Sequence, residues 1–490
     1  MKYKSFLIFC LAISHAIFGQ NNMSNVNAWV DSVYESMDQQ SRLGQLFMIR
    51  AHSDKGPDYE KKVAELIEKY KVGAVCFFQG TAIRQAELTN EYQKLSPHVP
   101  LFVAMDAEWG VGMRLKSSTV SFPRQLTLGA IQDNELIYEM GKEIGQQLRR
   151  LGVHINFAPV ADINNNASNP VIHTRSFGED KYNVSIKSYR YAQGLQESQV
   201  MACAKHFPGH GDTDVDSHHD LPVIPHSMAR LDSVELYPFK ALINKGIDAV
   251  MVAHLQVPVL EKEENRPTTL SKSTITGLLR NQLNFEGIIF TDAMEMKGVT
   301  KNYPPGIVEA EALLAGNDML VLPEDIEASF REINRYLEEG KISMDQVEKS
   351  VKRILAAKYK YGLTDFSEIE IEGLDQYLNR PEVMALKEKL ISEAITLVKN
   401  KEDFIPIQKI QDVQFASLTI GGKTPSAFNN RLNSYADFTH YGYDKNAHEE
   451  LLEKLGSKDV VVTSLHGIRG NMTNHFGLST ETIEFLRELN

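Results

Sequence analysis

The sequence predicts an α/β protein, a (β/α)8 TIM-like barrel followed by a second, incomplete α/β sandwich domain. Three observations predict it. About eight short apolar runs alternate with helix-sized amphipathic segments from Val26 onward. The runs are apolar on both faces, as a parallel sheet covered by helices demands. Polar residues follow the runs directly, at Asp106 and Glu108, Asp162, Lys205 and His206, His254, and Thr291 and Asp292. In a barrel such positions form the C-terminal mouth, where this fold carries its chemistry. An open, doubly wound sheet is the competing arrangement for the same alternation.

The N-terminus reads as a secretory signal over residues 1–20. Lys2 and Lys4 supply the charged region, Phe6 to Ile13 the apolar core, and Ala16-Ile17-Phe18-Gly19 a small-residue cleavage site near Gly19 or Gln20. An uncleaved anchor is the alternative, but the apolar run is short for a membrane span. The protein is therefore expected to be exported, periplasmic or secreted, with no integral membrane segment after cleavage. Of the three cysteines, Cys10 falls in the signal, and Cys76 and Cys203 sit in strand-like runs, which predicts buried thiols rather than a disulfide.

The barrel is expected over residues 21–363. Its strand candidates are Leu46 to Ile49, Val72 to Phe78, Leu101 to Met105, Ile155 to Val160, Met201 to Ala204, Ala249 to Ala253, Ile288 to Phe290 and Met319 to Leu322. A closing helix starts at the capping-box sequence Ser343-Met344-Asp345-Gln346. It places Val347, Val351, Ile354 and Leu355 on one face and stops at Gly362. Residues 364–383 are polar and irregular, a linker. Residues 384–490 begin a second α/β domain, with strands at Phe415 to Ile420 and Val460 to Thr463 and a helix near His448 to Leu455. About one hundred residues are few for such a domain, so the chain is expected to be a fragment of a longer protein. The net charge of −12 and pI of about 5.7 give no basic footprint for nucleic acid.

One stretch concentrates the chemistry. Lys205 to Pro222 packs four histidines and four aspartates into eighteen residues, and its two glycines and two prolines forbid a long helix. A calcium loop starting at Asp212-x-Asp214-x-Asp216 lacks the required Gly and Glu, since Ser217 and Val223 stand there. A zinc pair at His206 and His210 needs a helix that Pro208 and Gly209 prevent. A solvated loop with capping Asp and Ser residues is the bland reading. Acid/base chemistry is the third: in an extended segment Asp216 and His218 point the same way, so the carboxylate can fix the imidazole's tautomer and raise its pKa.

This run resembles the K-H-F-P-G-H-G-D-T-x-x-D-S-H signature of glycoside hydrolase family 3 β-N-acetylglucosaminidases (β-hexosaminidases). The resemblance is strong over roughly residues 40–360. It implies His218 as proton donor and acceptor, oriented by Asp216. The stretch Asp106 to Leu115 resembles the family's D-x-E-G-G-x-x-x-R-F, which makes Asp106 an acceptor for sugar hydroxyls and Arg114 a subsite residue. Trp109 replaces the first Gly, with sugar stacking and core packing both open for it, and Val111 stands where many members carry Arg. Asn156 to Asn164 and Arg175 to Asp180 resemble the family's N-F-A-P-V-x-D-x-N and R-S-F-G-x-D, which implies Arg175 as a ligand contact, while Asp162 is read as tying down the loop that follows it. Lys205 and His206 match residues that bond the sugar. Thr291-Asp292-x-x-x-Met296 resembles the nucleophile segment, which assigns Asp292 that role and leaves Glu295 pointing elsewhere.

The implied reaction is a retaining double displacement through a glycosyl-enzyme. A histidine in place of the usual carboxylic acid has a rationale: a second carboxylate beside Asp292 would be driven to share a proton. It also eases admission of a phosphate acceptor, so phosphorolysis stays open. The implied partner is a small carbohydrate containing β-linked N-acetylglucosamine, a muropeptide or chitooligosaccharide fragment, met by a secreted bacterial enzyme. No cofactor and no metal is expected. A family 3 β-glucosidase and an inactive sugar-binding module are the alternatives. The intact Asp292, Asp216 and His218 count against the second, and the D-S-H stretch against the first.

Overall fold

The computed structural model describes residues 24–489 except 218, 365 and 469–471. The signal segment and His218 therefore lie outside the described residues. Two compact units divide between Ile395 and Thr396.

The first unit is a nearly closed parallel barrel. Its strands are β1 (Phe47–Ala51), β2 (Ala74–Phe77), β3 (Phe102–Met105), β4 (Ile155–Asn156), β5 (Met201–Phe207), β6 (Ala249–Val252), β7 (Ile288–Thr291) and β8 (Leu320–Val321). Neighbours pair in the order β7-β6-β5-β4-β3-β2-β1-β8. A single bridge between Phe290 and Met319 brings β7 against β8. All eight apolar runs of the sequence became strands, because burial on both faces leaves no polar position to break the pattern.

One strand extends further than its composition suggests. β5 continues through Lys205 and His206 to Phe207, where its pairing with β6 shifts register after Ala204. The two polar residues thus belong to the strand end rather than to the loop. The loop that follows is packed tightly. A Cβ on Gly211 would fall 1.7 Å from the carbonyl oxygen of Ile163, so only glycine lets it lie against the segment after β4.

The closing helix is Met344–Lys360, capped by Ser343, whose side chain accepts from Gln346 N. Only half of the expected box forms: the Gln346 side chain donates to Leu313 O at 2.5 Å instead. Val347, Val351, Ile354 and Leu355 are buried as the periodicity requires.

The boundary after the barrel is a correction. The segment read as linker and as the start of a second domain belongs to the first unit. Helices Leu374–Leu378 and Pro381–Glu393 pack on the barrel's own helices, and Asn90 bonds the backbone of Ile369 through both amide atoms. The physical reason is apolar spacing hidden in polar composition. Leu374, Leu378, Val383 and Leu390 are all buried, each contributing roughly 1.5–3 kcal/mol. A chain cut after Leu363 should therefore melt well below one cut after Ile395 in thermal denaturation. Equal melting temperatures would show that the strap adds nothing.

The second unit has a three-stranded parallel sheet in the order β10-β9-β11, formed by β9 (Phe415–Ile420), β10 (Phe438–Gly442) and β11 (Val460–Leu465). Helix His448–Gly456 and helix Thr480–Leu489 place Leu451, Leu455 and Phe485 in a small core with Ala416, Leu418 and Ile420. No helix of the described residues is long and apolar enough to cross a membrane.

Candidate active site

The mouth of the barrel holds a chain of alternating charges. Asp106, just past β3, pairs with Arg114 through one oxygen and with Lys205 Nζ through the other, at 2.7 Å. Lys205 lies 2.8 Å from Glu108 Oε1. Glu108 in turn grips Arg175 with two bonds, Nη2 to Oε1 at 2.7 Å and Nε to Oε2 at 3.0 Å. Glu108 and Lys205 are buried. A buried charge is tolerable only when it is paired and hydrogen-bonded, and each of these groups has at least two partners. Burial alone would raise both carboxyls. Lys205 and Arg114 outweigh it at Asp106 and hold that group far below the usual range. Arg175 and Lys205 outweigh it at Glu108, which drops to about 2. The cluster is therefore ionised at neutral and mildly acidic pH.

A second layer fixes His206. Asp162 accepts from the backbone N–H groups of His206 and His210, the latter at 2.7 Å. Its Oδ2 lies 2.7 Å from His206 Nδ1. The carboxylate can only accept, so that ring nitrogen carries a proton. His206 Nε2 then faces Arg175 Nη2 at 3.3 Å. Asp162 was expected to tie down the loop that follows it; its carboxylate instead holds the end of β5 and the loop after that strand.

Asp292 follows β7 directly. Its backbone N–H donates to Val252 O, and its Oδ1 accepts from Ala293 N at 2.8 Å. It is half-buried and lines the cavity. Burial pushes its pKa up, but His206, His254, the Ala293 N–H and Lys205 more than offset that, and the group stays below its ordinary value. An ionised carboxylate is thus presented to the cavity. His254 stands behind it, fully buried, with Nε2 3.0 Å from Ala293 O and Nδ1 2.7 Å from Thr269 Oγ1.

These groups share one cavity of about 270 Å³, below the range of about 300–1,000 Å³ typical of drug-sized ligand sites and fitting a single ring. Asp106, Arg114, Arg175, Lys205, His206 and Asp292 all line it. Ser217 lines it as well, between Asp216 and His218 in sequence. Ser217 is held twice: its hydroxyl lies 3.1 Å from His210 Nε2, and its carbonyl accepts from Gly298 N at 3.0 Å. The loop after β5 is thereby tied to the segment after β7 that follows Asp292. Asp216 is partly exposed, and its carboxylate comes within 4.0 Å of His219 Nε2.

Three readings need correction or completion. Glu295 does not point away; it lines the cavity and pairs with Arg50 of β1 at the rim. Trp109 neither lines the cavity nor joins the buried core; it is half-buried beneath Arg124, whose guanidinium lies 4.1 Å from its ring centre. Glu108 was noted only as a polar residue after a strand, yet it joins Lys205 to Arg175. The D-x-E spacing was the available signal, since residues i and i+2 after a strand can face the same way. Arg50 and Phe78 had no signal: the Phe78 ring is covered by the guanidinium groups of Arg50 and Arg114, at 3.9 and 4.4 Å.

A parallel barrel whose mouth gathers paired carboxylates, guanidinium groups and an ionised strand-end aspartate has the layout of a TIM-barrel active site. The chain belongs to glycosyl hydrolase family 3: the family's N terminal domain matches residues 39–357. Among its relatives, Beta-hexosaminidase A of Pseudoalteromonas piscicida is 32% identical over 369 residues, 69% of this chain and 61% of the relative. The Beta-N-acetylglucosaminidase/beta-glucosidase of Cellulomonas fimi is 27% identical over 390 residues, 78% of this chain and 68% of the relative. The chain thus spans less than two thirds of the first of these. A solved family 3 beta-N-acetylglucosaminidase from Paenibacillus sp. str. FPU-7 superposes with a TM-score of 0.77 at 29% identity, covering 92% of each chain.

Proposed function

We propose that this chain is a retaining β-N-acetylhexosaminidase that removes terminal, non-reducing β-linked N-acetylglucosamine. The observation that carries the proposal is the placement of Asp292: an ionised carboxylate opening onto a one-ring cavity that Asp106, Lys205 and Arg175 also line. Relatives named for this activity support it.

In this reading Asp106 accepts from sugar hydroxyls, while Lys205, Arg175 and Arg114 donate. Because these groups are already paired with one another, they are held rigid before substrate arrives, which lowers the entropic cost of orienting it. Asp292 attacks the anomeric carbon through an oxocarbenium-like transition state and forms a glycosyl-enzyme. His218, oriented by Asp216, protonates the leaving oxygen and then deprotonates the incoming water. Ser217, reaching the cavity from between them, supports delivery of that dyad to the same space.

Supporting export is the run of Lys2, Lys4 and Phe6 to Ile13. A secreted or periplasmic enzyme would meet muropeptide or chitooligosaccharide fragments, so cell-wall recycling is the proposed setting. The mass of the mature protein recovered from cell fractions tests this, with loss of about twenty residues expected.

The activity test is a panel of nitrophenyl glycosides with purified protein. Hydrolysis of the β-N-acetylglucosaminide should exceed that of the β-glucoside by at least tenfold in kcat/KM, about 1.4 kcal/mol of transition-state preference. A preference for the β-glucoside would overturn the substrate assignment and favour the second activity in the Cellulomonas fimi relative's name.

A further inference from the structure

The segment between β5 and β6 carries a second polar cluster, outside the residues that line the cavity. Asp212, His226 and Glu235 each bring one ligand-type atom within 4.8 Å of the others. His226 Nε2 lies 2.8 Å from Asp212 Oδ2. Glu235 is buried, and its Oε1 accepts from Arg230 at 3.0 Å and from Asn165 Nδ2 at 3.3 Å. Its second oxygen, Oε2, is buried with no hydrogen-bond partner among the described residues, and so is Oδ1 of the neighbouring Asn165. A buried carboxylate oxygen left unpaired is costly, and acceptor oxygens of this kind call for a cation.

Arg230 supplies one, but poorly. Its guanidinium reaches Glu235 Oε1 and comes only within 3.8 Å of Asp212 Oδ2. Its Nε is buried without a partner among the described residues, while 38% of the side chain is exposed. One guanidinium also leaves two carboxylates with a net negative charge when His226 is neutral.

We propose that Asp212, His226 and Glu235 form a binding site for a divalent transition metal of the zinc class, and that Arg230 is the resident counter-ion the metal displaces. The donor set decides the class. An imidazole nitrogen with carboxylate oxygens suits zinc and its neighbours, whereas magnesium and calcium take oxygen ligands. Replacing one positive charge by two brings the cluster to neutrality. Asp212 stands four residues before Asp216, so a bound metal anchors the loop that carries the D-S-H stretch.

The test uses the full chain, stripped with a chelator and titrated with zinc chloride alone by calorimetry, with metal-free melting curves for every variant. One site is expected in the parent. His226→Ala and Glu235→Gln should each weaken it at least about tenfold, since even partners outside the coordination sphere cost about 10–100-fold. Arg230→Gln should bind zinc more tightly, because the competing cation is gone. His218→Ala should leave this site intact, which separates it from any zinc taken by the proposed catalytic dyad. No zinc uptake by the parent chain would overturn the proposal. So would unchanged affinity in His226→Ala and Glu235→Gln, or weaker binding in Arg230→Gln. The last variant stays informative even if a ligand variant fails to fold.

Discussion

Asp292→Ala should abolish turnover on every glycoside, good leaving group or poor. The expected loss is on the order of 10⁶-fold in kcat, the scale seen when a nucleophile is deleted, because no covalent intermediate can form without it. The fold should survive. Among the described residues the carboxylate's hydrogen bond runs to the adjacent residue's N–H, and no ion pair between them depends on it. Two terms oppose each other on removal: a desolvated anion is relieved, and the field of Lys205, His206 and His254 loses its target. Melting should therefore stay within about 2 °C of the parent, since about 1 kcal/mol shifts a 150–250-residue domain by roughly 2–4 °C and a larger one by less. Glu295→Gln is the control, since that carboxylate lines the same cavity but is paired with Arg50. If Asp292→Ala keeps measurable turnover while Glu295→Gln loses it, the nucleophile has been assigned to the wrong carboxylate.

The residues assembled at the mouth were mostly legible as types and illegible as pairs. Asp106, Lys205, Arg175 and Asp292 stood out because each follows or ends an apolar run. That Lys205 bridges Asp106 and Glu108 depends on β5 lying one strand beyond β3's neighbour β4. No local pattern encodes that distance. β5 was read short because Lys205 and His206 look like loop residues. They remain in the strand because the carboxylates that follow β3 and β4 satisfy them. β10 was missed for a related reason: Thr439, His440 and Tyr441 give it no apolar run, and it is only partly buried. The strap over 364–395 was hidden by charge. Its few leucines fall on one face, and composition averages them away. Glu295 was misjudged because its direction is set by Arg50, far away in the chain.

His218→Ala should separate the two halves of the reaction. Proton donation matters less as the leaving group becomes more acidic, so with a nitrophenyl aglycone the glycosyl-enzyme should form at a fair rate. It should then stall, because nothing activates water, at a cost of about 10²–10⁴-fold in that step. The trace should show a burst of nitrophenol equal to the enzyme concentration, then slow turnover. Azide, a nucleophile that needs no base, should restore the second step and yield the glycosyl azide with the β configuration retained. On a poor leaving group such as an alkyl glycoside, the first step should fail and azide should do nothing. Asp216→Ala should resemble a milder form of the same variant, because it loosens the imidazole rather than removing it. Ser217→Ala breaks the bond to His210 that holds the loop but keeps both dyad residues, so it should give a weaker form of the same defect, with azide still speeding the second step. If His218→Ala loses the same factor on good and poor leaving groups and azide restores nothing, the base that activates water is another residue.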